Sequence, residues 1–131
     1  MGKKKKEVKR NLLTIVIGGN MEKDEQEIWD NPEVAMKQSE KMVYVDSYEQ
    51  LHQLLSPARL DLLRYIIWMS HQKESKTVGT IANDLKRKQE AISRDLHYLS
   101  GMRFIELKKD KQMVLPLTRL DGIDIQCATV D

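Results

Sequence analysis

Five polar side chains able to recognise nucleic-acid bases recur over a short amphipathic segment that ends at Gly101. They are Gln89, Glu90, Ser93, Arg94 and His97, and their spacing places them on the exposed side of a helix. Arginine pairs bidentately with guanine, glutamine pairs with adenine, and glutamate accepts a hydrogen bond from cytosine. We therefore predict a recognition helix over about residues 88–100 in the major groove of double-stranded DNA, with Arg94 and Gln89 as the best candidates for base contacts.

Two apolar stripes must position this polar face. Their members recur at intervals of three and four residues, as on one face of a helix: Val78, Ile81, Ala82 and Leu85 in the first segment, and Ile92, Leu96 and Leu99 in the second. The tetrapeptide Lys86-Arg87-Lys88-Gln89 between them is too polar to be buried and too short to be anything but a turn. The stretch 77–101 therefore predicts a helix-turn-helix. Thr77 is the expected cap of its first helix, and Thr80 follows in the first turn.

The flanking segments extend this pair of helices. Ser56-Pro57 is a helix start signal, with serine as the cap and proline at the first helical position. It precedes a long apolar helix in which we expect Trp68 to belong to the core. After Gly101 the pattern changes to two apolar runs around a charged turn, which predicts a hairpin over about residues 104–117. The lysines of this hairpin, Lys108, Lys109 and Lys111, are expected at its tip.

The N-terminal part differs in charge and in predicted structure. Residues 1–11 hold six Lys or Arg against one Glu, and we expect a disordered basic arm, either a solvated tail or a segment that contacts phosphates. Residues 20–50 hold three basic residues against nine acidic ones, typical of a protein-binding surface. Strands are predicted over 12–17 and 42–45, and a lone pair of strands is not stable. They need the winged domain or a second copy of the chain to cover them, so we expect a homodimer formed through this part.

With these elements assembled, residues 56–117 resemble a winged helix-turn-helix transcriptional regulator of the MarR/ArsR-like kind, and more narrowly a group of small, mostly archaeal, predicted DNA-binding regulators. The resemblance rests on LLSPARLDLLRYI (54–66), LKRKQEAISRDLHYL (85–99) and Val114-Leu115-Pro116. The chain departs from the group at Lys86-Arg87-Lys88, where a glycine-containing turn is more usual, and at Gly101-Met102-Arg103-Phe104. The resemblance implies an α+β fold: a winged helix-turn-helix domain with a small N-terminal strand-helix-strand extension.

We accordingly divide the chain into the arm (1–11), a strand and helix extension for dimerisation or partner binding (12–55), the winged domain (56–117) and a C-terminal strand and tail (118–131). The expected function is sequence-specific DNA binding in transcription regulation. The alternative is a winged-helix protein-interaction module, antitoxin-like or an adaptor of the transcription machinery. The side chains expected to contact DNA are Thr77, Thr80, Lys86, Arg87, Lys88, Gln89, Glu90, Ser93, Arg94, His97, Lys108, Lys109 and Lys111. We expect Asp95 to pair within the domain instead.

Other classes of function find no motif in the sequence. The single cysteine, Cys127, excludes an internal disulfide and a cysteine-rich zinc site, and the three histidines lack metal-ligand spacing. Aromatic residues make up 5% of the chain, too few for a platform that stacks single-stranded bases. There is no nucleophile–base pair, no phosphate loop and no apolar run of membrane-spanning length. We expect a cytoplasmic protein that is not an enzyme and needs no cofactor.

Overall fold

The computed structural model describes residues 10–18 and 42–127, so the predictions for most of the basic arm and for residues 19–41 of the acidic segment lie outside the described residues. Its helices and strands form an α+β fold, as predicted. In chain order they are β1 (Leu12–Ile17), β2 (Met42–Val45), α1 (Tyr48–Leu54), α2 (Pro57–His71), α3 (Val78–Leu85), α4 (Gln89–Gly101), β3 (Glu106–Asp110), β4 (Met113–Leu117) and β5 (Gly122–Cys127).

Short hydroxyl side chains begin three of these helices. Ser47, Ser56 and Thr77 each accept a hydrogen bond at the side-chain oxygen from the backbone N–H three residues later, at 3.2, 3.3 and 3.3 Å. Each bond satisfies one of the N–H groups that a helix start leaves without a partner. The predicted starts at Ser56-Pro57 and at Thr77 are thereby confirmed.

Basic residues stand where helices α2, α3 and α4 end. Lys73, Lys86 and Arg103 have φ angles of 58°, 57° and 66°, in the left-handed region that usually favours glycine. In each case the next residue's N–H bonds back to a carbonyl five residues earlier, as when Arg87 donates to Ala82 at 2.9 Å. This is the Schellman end of a helix. A cation there interacts favourably with the helix dipole, which partly offsets the cost of the left-handed backbone.

Replacing Lys86 by glycine is expected to raise the free energy of unfolding by about 0.5–1 kcal/mol. A residue with a Cβ costs about 1–2 kcal/mol in the left-handed conformation, and glycine removes this cost. Part of the gain is lost because glycine also makes the unfolded chain more flexible, so that more conformational entropy is lost on folding. Urea unfolding of the variant measures the change. The matched control is Lys86→Ala, which removes the same charge but keeps the Cβ, and which should not stabilise the chain. A glycine variant less stable than the parent would contradict the role given to the backbone of Lys86.

Two sheets flank the helices within residues 10–18 and 42–127. The first has the order β2-β1-β5 with all strands parallel, and Ile15 of β1 pairs with Val43 on one side and with Ile125 on the other. The second is the antiparallel ribbon β3–β4, with Lys108 opposite Leu115. The predicted strands at 12–17 and 42–45 are confirmed, and the predicted C-terminal strand lies beside β1. The N-terminal strands are therefore covered in part by β5 and the helices of their own chain.

One hydrophobic core joins the parallel sheet to the helices. It contains Leu13 and Ile15 of β1, Val45 of β2, and the apolar faces of all four described helices. The expectation for Trp68 is wrong: 49% of this residue is exposed. The reason is its direction on α2, since the helix already buries Ile66, Ile67 and Met69 on the core side. Trp68 instead lies beside Tyr65, with ring centroids 5.9 Å apart.

The segment from α2 to β4 has the order and arrangement of a winged helix-turn-helix. Helices α3 and α4 are joined by a three-residue turn at 86–88, and the ribbon β3–β4 follows α4 directly. Contacts link α2 to α4, α3 to α4, and α4 to β3. The prediction of three helices followed by a wing is confirmed.

Candidate nucleic-acid interface

The turn between α3 and α4 brings basic residues to the beginning of α4. Lys88 is the cap residue of this helix, and its side chain makes no capping hydrogen bond. The first backbone N–H groups of a helix have no partner within the helix, and they favour an anion at that end. Lys86 and Lys88 are both exposed beside this end. The local chemistry therefore suits a phosphate group.

The side chain of Gln89, in the first turn of α4, lies close to Gly79 of α3. A Cβ added at Gly79 would lie 3.0 Å from Gln89 Nε2, which is tighter than an ordinary contact. Glycine at position 79 thus allows the Gln89 amide to lie against the backbone of α3. Gln89 is the first residue of α4 and remains exposed.

The outer face of α4 carries the remaining predicted base-contacting side chains. Glu90, Arg94 and His97 are exposed, and Ser93 is half-buried. The opposite face is apolar except for Asp95, with Ile92, Leu96 and Leu99 in the core. His97 Nδ1 lies 2.8 Å from the backbone carbonyl oxygen of Ser93, which orients the imidazole along the helix. The structure therefore brings Glu90, Ser93, Arg94 and His97 together on one polar surface.

Arg87 does not join this surface, although it belongs to the predicted set. Its Nη2 lies 2.7 Å from Asp95 Oδ2, and Arg59 Nε of α2 lies 3.2 Å from Asp95 Oδ1. Asp95 is 5% exposed, so two guanidinium groups compensate one buried carboxylate. The expectation that Asp95 pairs within the domain is confirmed. Arg87 Nη1 is buried without a hydrogen-bond partner among the described residues.

The same cluster joins α4 to α2. The guanidinium carbon of Arg59 lies 3.9 Å from the centroid of the Tyr98 ring, in the geometry of a cation–π contact. Arg59 thus contacts both Asp95 and Tyr98 of α4, and Arg87 reaches the same carboxylate from the turn. The position of α4 is therefore set by charged contacts as well as by apolar packing.

The lysines of the ribbon β3–β4 remain exposed. Lys108 and Lys109 are successive strand residues, so they point to opposite faces of the ribbon. Lys111 is the first of two loop residues and has a φ of 60°, where short hairpin turns favour glycine or asparagine. Of the three lysines predicted at the tip, only Lys111 lies there, because Lys108 and Lys109 belong to strand β3. The ribbon therefore presents cations in several directions, a distribution that suits contact with the phosphate backbone.

Thr77 and Thr80 act as structural residues at the start of α3. Thr77 Oγ1 accepts from the N–H of Thr80, and the two side-chain oxygens lie 3.2 Å apart. Thr80 is exposed and Thr77 is half-buried. Thr77 therefore caps α3, and a contact between Thr77 and DNA would use a side-chain oxygen that already accepts this hydrogen bond.

A second cluster, which the sequence did not reveal, joins α2 to α3. The Tyr65 hydroxyl donates to Asp84 Oδ2, and Lys76 Nζ lies 2.9 Å from the same hydroxyl and 3.2 Å from Asp84 Oδ2. Burial raises the pKa of Tyr65, while its hydrogen bond lowers the pKa of Asp84 and raises that of Lys76. These three residues are 8 to 19 positions apart, so no local motif marks them. They hold the first helix of the helix-turn-helix against α2.

Neither a metal site nor a membrane span appears in the part of the chain that the structure describes. Residues 10–18 and 42–127 contain no group of three His, Cys, Asp or Glu side chains able to hold a metal ion. Within the same ranges, every helix is too short or too polar to cross a membrane.

Comparison with known proteins places this region in a family. The HVO_A0114 family model matches residues 54–125, more than half of the chain and all of the elements from α2 to β4. No curated protein matches the chain.

Similar solved structures overlap with about half of the chain. NolR from Sinorhizobium fredii is 26% identical, with a TM-score of 0.43 over 52% of this chain and 63% of NolR. MepR, a transcription regulator of the Staphylococcus aureus multidrug efflux pump MepA, is 24% identical, with a TM-score of 0.45 over 53% of this chain and 52% of MepR. HlyU from Vibrio cholerae is 22% identical, with a TM-score of 0.42 over 52% of this chain and 70% of HlyU. The chain thus spans less than two thirds of the length of NolR and of MepR.

Proposed function

The chain belongs to the HVO_A0114 family, and from that premise we propose that it is a transcription regulator that binds double-stranded DNA sequence-specifically through α4. The observation that carries the proposal is the polar surface of α4, formed by Glu90, Ser93, Arg94 and His97, with the exposed Lys86 and Lys88 beside its start. Helix α4 has 13 residues and is about 20 Å long. The major groove of B-form DNA is wide enough to admit such a helix.

Base reading is assigned to the side chains nearest the start of α4. Arg94 is exposed and lies one turn after Glu90, so its guanidinium can reach a guanine edge with two parallel hydrogen bonds. Gln89 is held against Gly79 with its amide at the start of the helix. Glu90 accepts from a cytosine amino group and repels phosphates where the sequence is wrong. Ser93 and His97 complete the contact.

Phosphate contacts supply affinity that does not depend on sequence. Lys86 and Lys88 lie beside the start of α4, which has no side-chain cap, and the wing lysines are exposed on the ribbon that follows α4 in the chain. Thr80 is exposed in the first turn of α3 and is assigned to the backbone as well. Such contacts release counterions, so the affinity falls as the salt concentration rises. Arg87 supports α4 through Asp95 and is assigned a positioning role.

Replacing Lys108, Lys109 and Lys111 together by alanine tests the wing. Each phosphate contact contributes about 0.9 to the slope of log affinity against log salt concentration. The variant is therefore expected to bind duplex DNA more weakly, with a slope reduced by about 1 to 3, because the two faces of the ribbon need not both reach DNA. Fluorescence anisotropy at several salt concentrations measures the slope.

The control for the wing variant is Lys73→Ala. Lys73 is an exposed cation at the end of α2, where it lines a surface depression with His71 and Asp121 outside the proposed interface. Its removal should leave the salt slope unchanged. If the wing variant had the same salt slope as the parent chain, the ribbon β3–β4 would not contact DNA.

Two copies acting together explain how a single short helix gains specificity. A twofold-symmetric dimer sets two recognition helices about one turn of DNA apart, which requires a pseudo-palindromic site. Electrophoretic titration of a short duplex against the protein measures the stoichiometry. Saturation at two protomers per site supports the dimer, and saturation at one protomer per site contradicts it.

A further inference from the structure

The parallel sheet ends on an edge strand with an exposed hydrophobic residue. Among the described residues, β1 is the central strand and β5 is paired on one side only. Burial decreases along β5, so that Ile125, Gln126 and Cys127 are exposed while the first three residues are half-buried. An edge strand offers a row of backbone N–H and C=O groups to another strand. The exposed end of β5 is therefore the part of this sheet best suited to pair with another chain.

A groove beside this strand is largely apolar. It measures about 560 Å³ and lies between α2 and β5, with Leu60, Ile67, Trp68, Ile123 and Ile125 among its lining residues. Trp68 and Ile125 are 49% and 42% exposed, two of the four large hydrophobic side chains left exposed in the described ranges. His71 and Asp121, with Nε2 and Oδ1 3.2 Å apart, lie at its rim. An apolar surface next to an open strand edge marks an interaction site.

We propose that a second copy of the chain pairs its β5 antiparallel with this β5, about a twofold axis at Ile125. The result is a continuous sheet across the dimer, to which each copy contributes its three described strands. This inference rests on the dimer in the proposed function and names the surface that forms it. It places the contact at the C-terminal strand and α2, whereas the sequence pointed to the N-terminal strands.

The side chains of β5 indicate that its partner strand is the β5 of a second copy, and they also determine the register of this strand pair. Directly opposite residues of an antiparallel pair lie on the same face of the sheet, so a twofold pairing must match residues of equal parity. An axis at Asp124 would place two like charges opposite each other, which destabilises a strand pair. An axis at Ile125 places Ile125 against its own copy and each Asp124 against a Gln126.

The pairing of Asp124 with Gln126 is already present within one chain. Gln126 Nε2 donates to Asp124 Oδ2 at 2.9 Å. Across the proposed axis the same amide and carboxylate lie opposite each other twice, so each bond within a chain can be exchanged for one between the copies without leaving either group unpaired. On the other face, Ile125 and its copy bring the two apolar grooves and the two Trp68 side chains towards a common layer. This self-complementarity favours a second copy over an unrelated partner.

Disulfide cross-linking tests the register without DNA. In a Cys127→Ser chain, Ile125→Cys places two thiols directly opposite each other, at a Cα separation of about 4.5–5.5 Å that a disulfide can span. Mild oxidation should therefore yield a covalent dimer. In the parent chain Cys127 lies opposite Ile123 of the other copy, about 13 Å from its own equivalent, so the parent should stay uncross-linked. Lys109→Cys in the same Cys127→Ser chain is the control for collisions between exposed thiols and should also stay monomeric on a denaturing gel.

Sedimentation equilibrium gives a second measurement that does not depend on oxidation. The parent chain should have twice its monomer mass, and Ile125→Asp, which places two carboxylates at the axis, should have the monomer mass with its unfolding little changed. A monomeric parent, as expected if a small molecule or another protein fills the groove, would overturn the proposal. So would a dimer that Ile125→Asp leaves intact or that Ile125→Cys fails to cross-link. A chain that cross-links at Ile125 but binds no duplex would support this interface and overturn the regulator function.

Discussion

Replacing Asp95 by asparagine is expected to lower the free energy of unfolding by about 2–3 kcal/mol. The carboxylate is buried and compensates Arg59 and Arg87 at 3.2 and 2.7 Å. Removing one member of a buried ion pair costs about 3–5 kcal/mol, because the remaining charges lose their partner without regaining water. Here the arginine side chains are 24% and 22% exposed and recover part of their hydration, which reduces the loss. Urea unfolding followed by circular dichroism measures it.

Asp61→Asn is the matched control for this prediction. Asp61 pairs with Arg64 at 3.7 Å, and both side chains are more than 70% exposed. Exposed pairs contribute about 0–1 kcal/mol, so this variant should be almost as stable as the parent. Equal losses for the two variants would show that the buried carboxylate does not stabilise the position of α4.

The Asp95 variant should also bind DNA more weakly at temperatures where it stays folded, because Arg59 and Arg87 no longer hold the helix.

Replacing Arg94 by alanine is expected to weaken binding to the preferred duplex roughly 5- to 150-fold, the loss of about 1–3 kcal/mol that accompanies one bidentate base contact. The loss should be much smaller on an unrelated duplex, because non-specific binding depends on phosphates. Competition binding against both duplexes measures the ratio. The exposed position of Arg94 on α4 means that stability should change little.

Arg94→Lys separates charge from geometry at the same position. Lysine keeps the cation but cannot form the planar fork that matches guanine. This variant should keep the affinity for unrelated DNA and lose most of the preference for the selected sequence. If Arg94→Ala lowered the affinity for both duplexes equally, Arg94 would contact phosphates and not base edges.

The helices were predictable because their signals are local. Ser56 and Thr77 each bond to an N–H three residues later, and apolar residues repeat every three or four positions on the same helix. The exposure of Glu90 and Arg94 follows from the same periodicity. The direction in which a side chain points from a largely apolar helix is harder to infer. Trp68 follows two buried isoleucines, and only the packing of α2 against its neighbours decides that its ring faces outward.

Contacts between distant segments could not be predicted. Strand β1 pairs with β5, 110 positions later along the chain, and propensity marks both strands without giving their partner or direction. Arg87 was expected to contact DNA because it lies in a basic turn. Its ion pair with Asp95 depends on the left-handed backbone at Lys86 and on the way α4 packs against Arg59. The glycine-containing turn that is more usual in similar regulators pointed to such a conformation, but the lysine at position 86 of this chain does not indicate it by itself.

The most direct test of the central claim is selection of bound sequences from a random pool of double-stranded DNA, repeated at two salt concentrations. We expect enrichment of one pseudo-palindromic sequence at both concentrations, with lower affinity at the higher one. The Arg94→Ala chain should lose the enrichment at the positions that Arg94 reads. Binding that falls steeply with salt while no sequence is enriched would contradict sequence-specific recognition by α4.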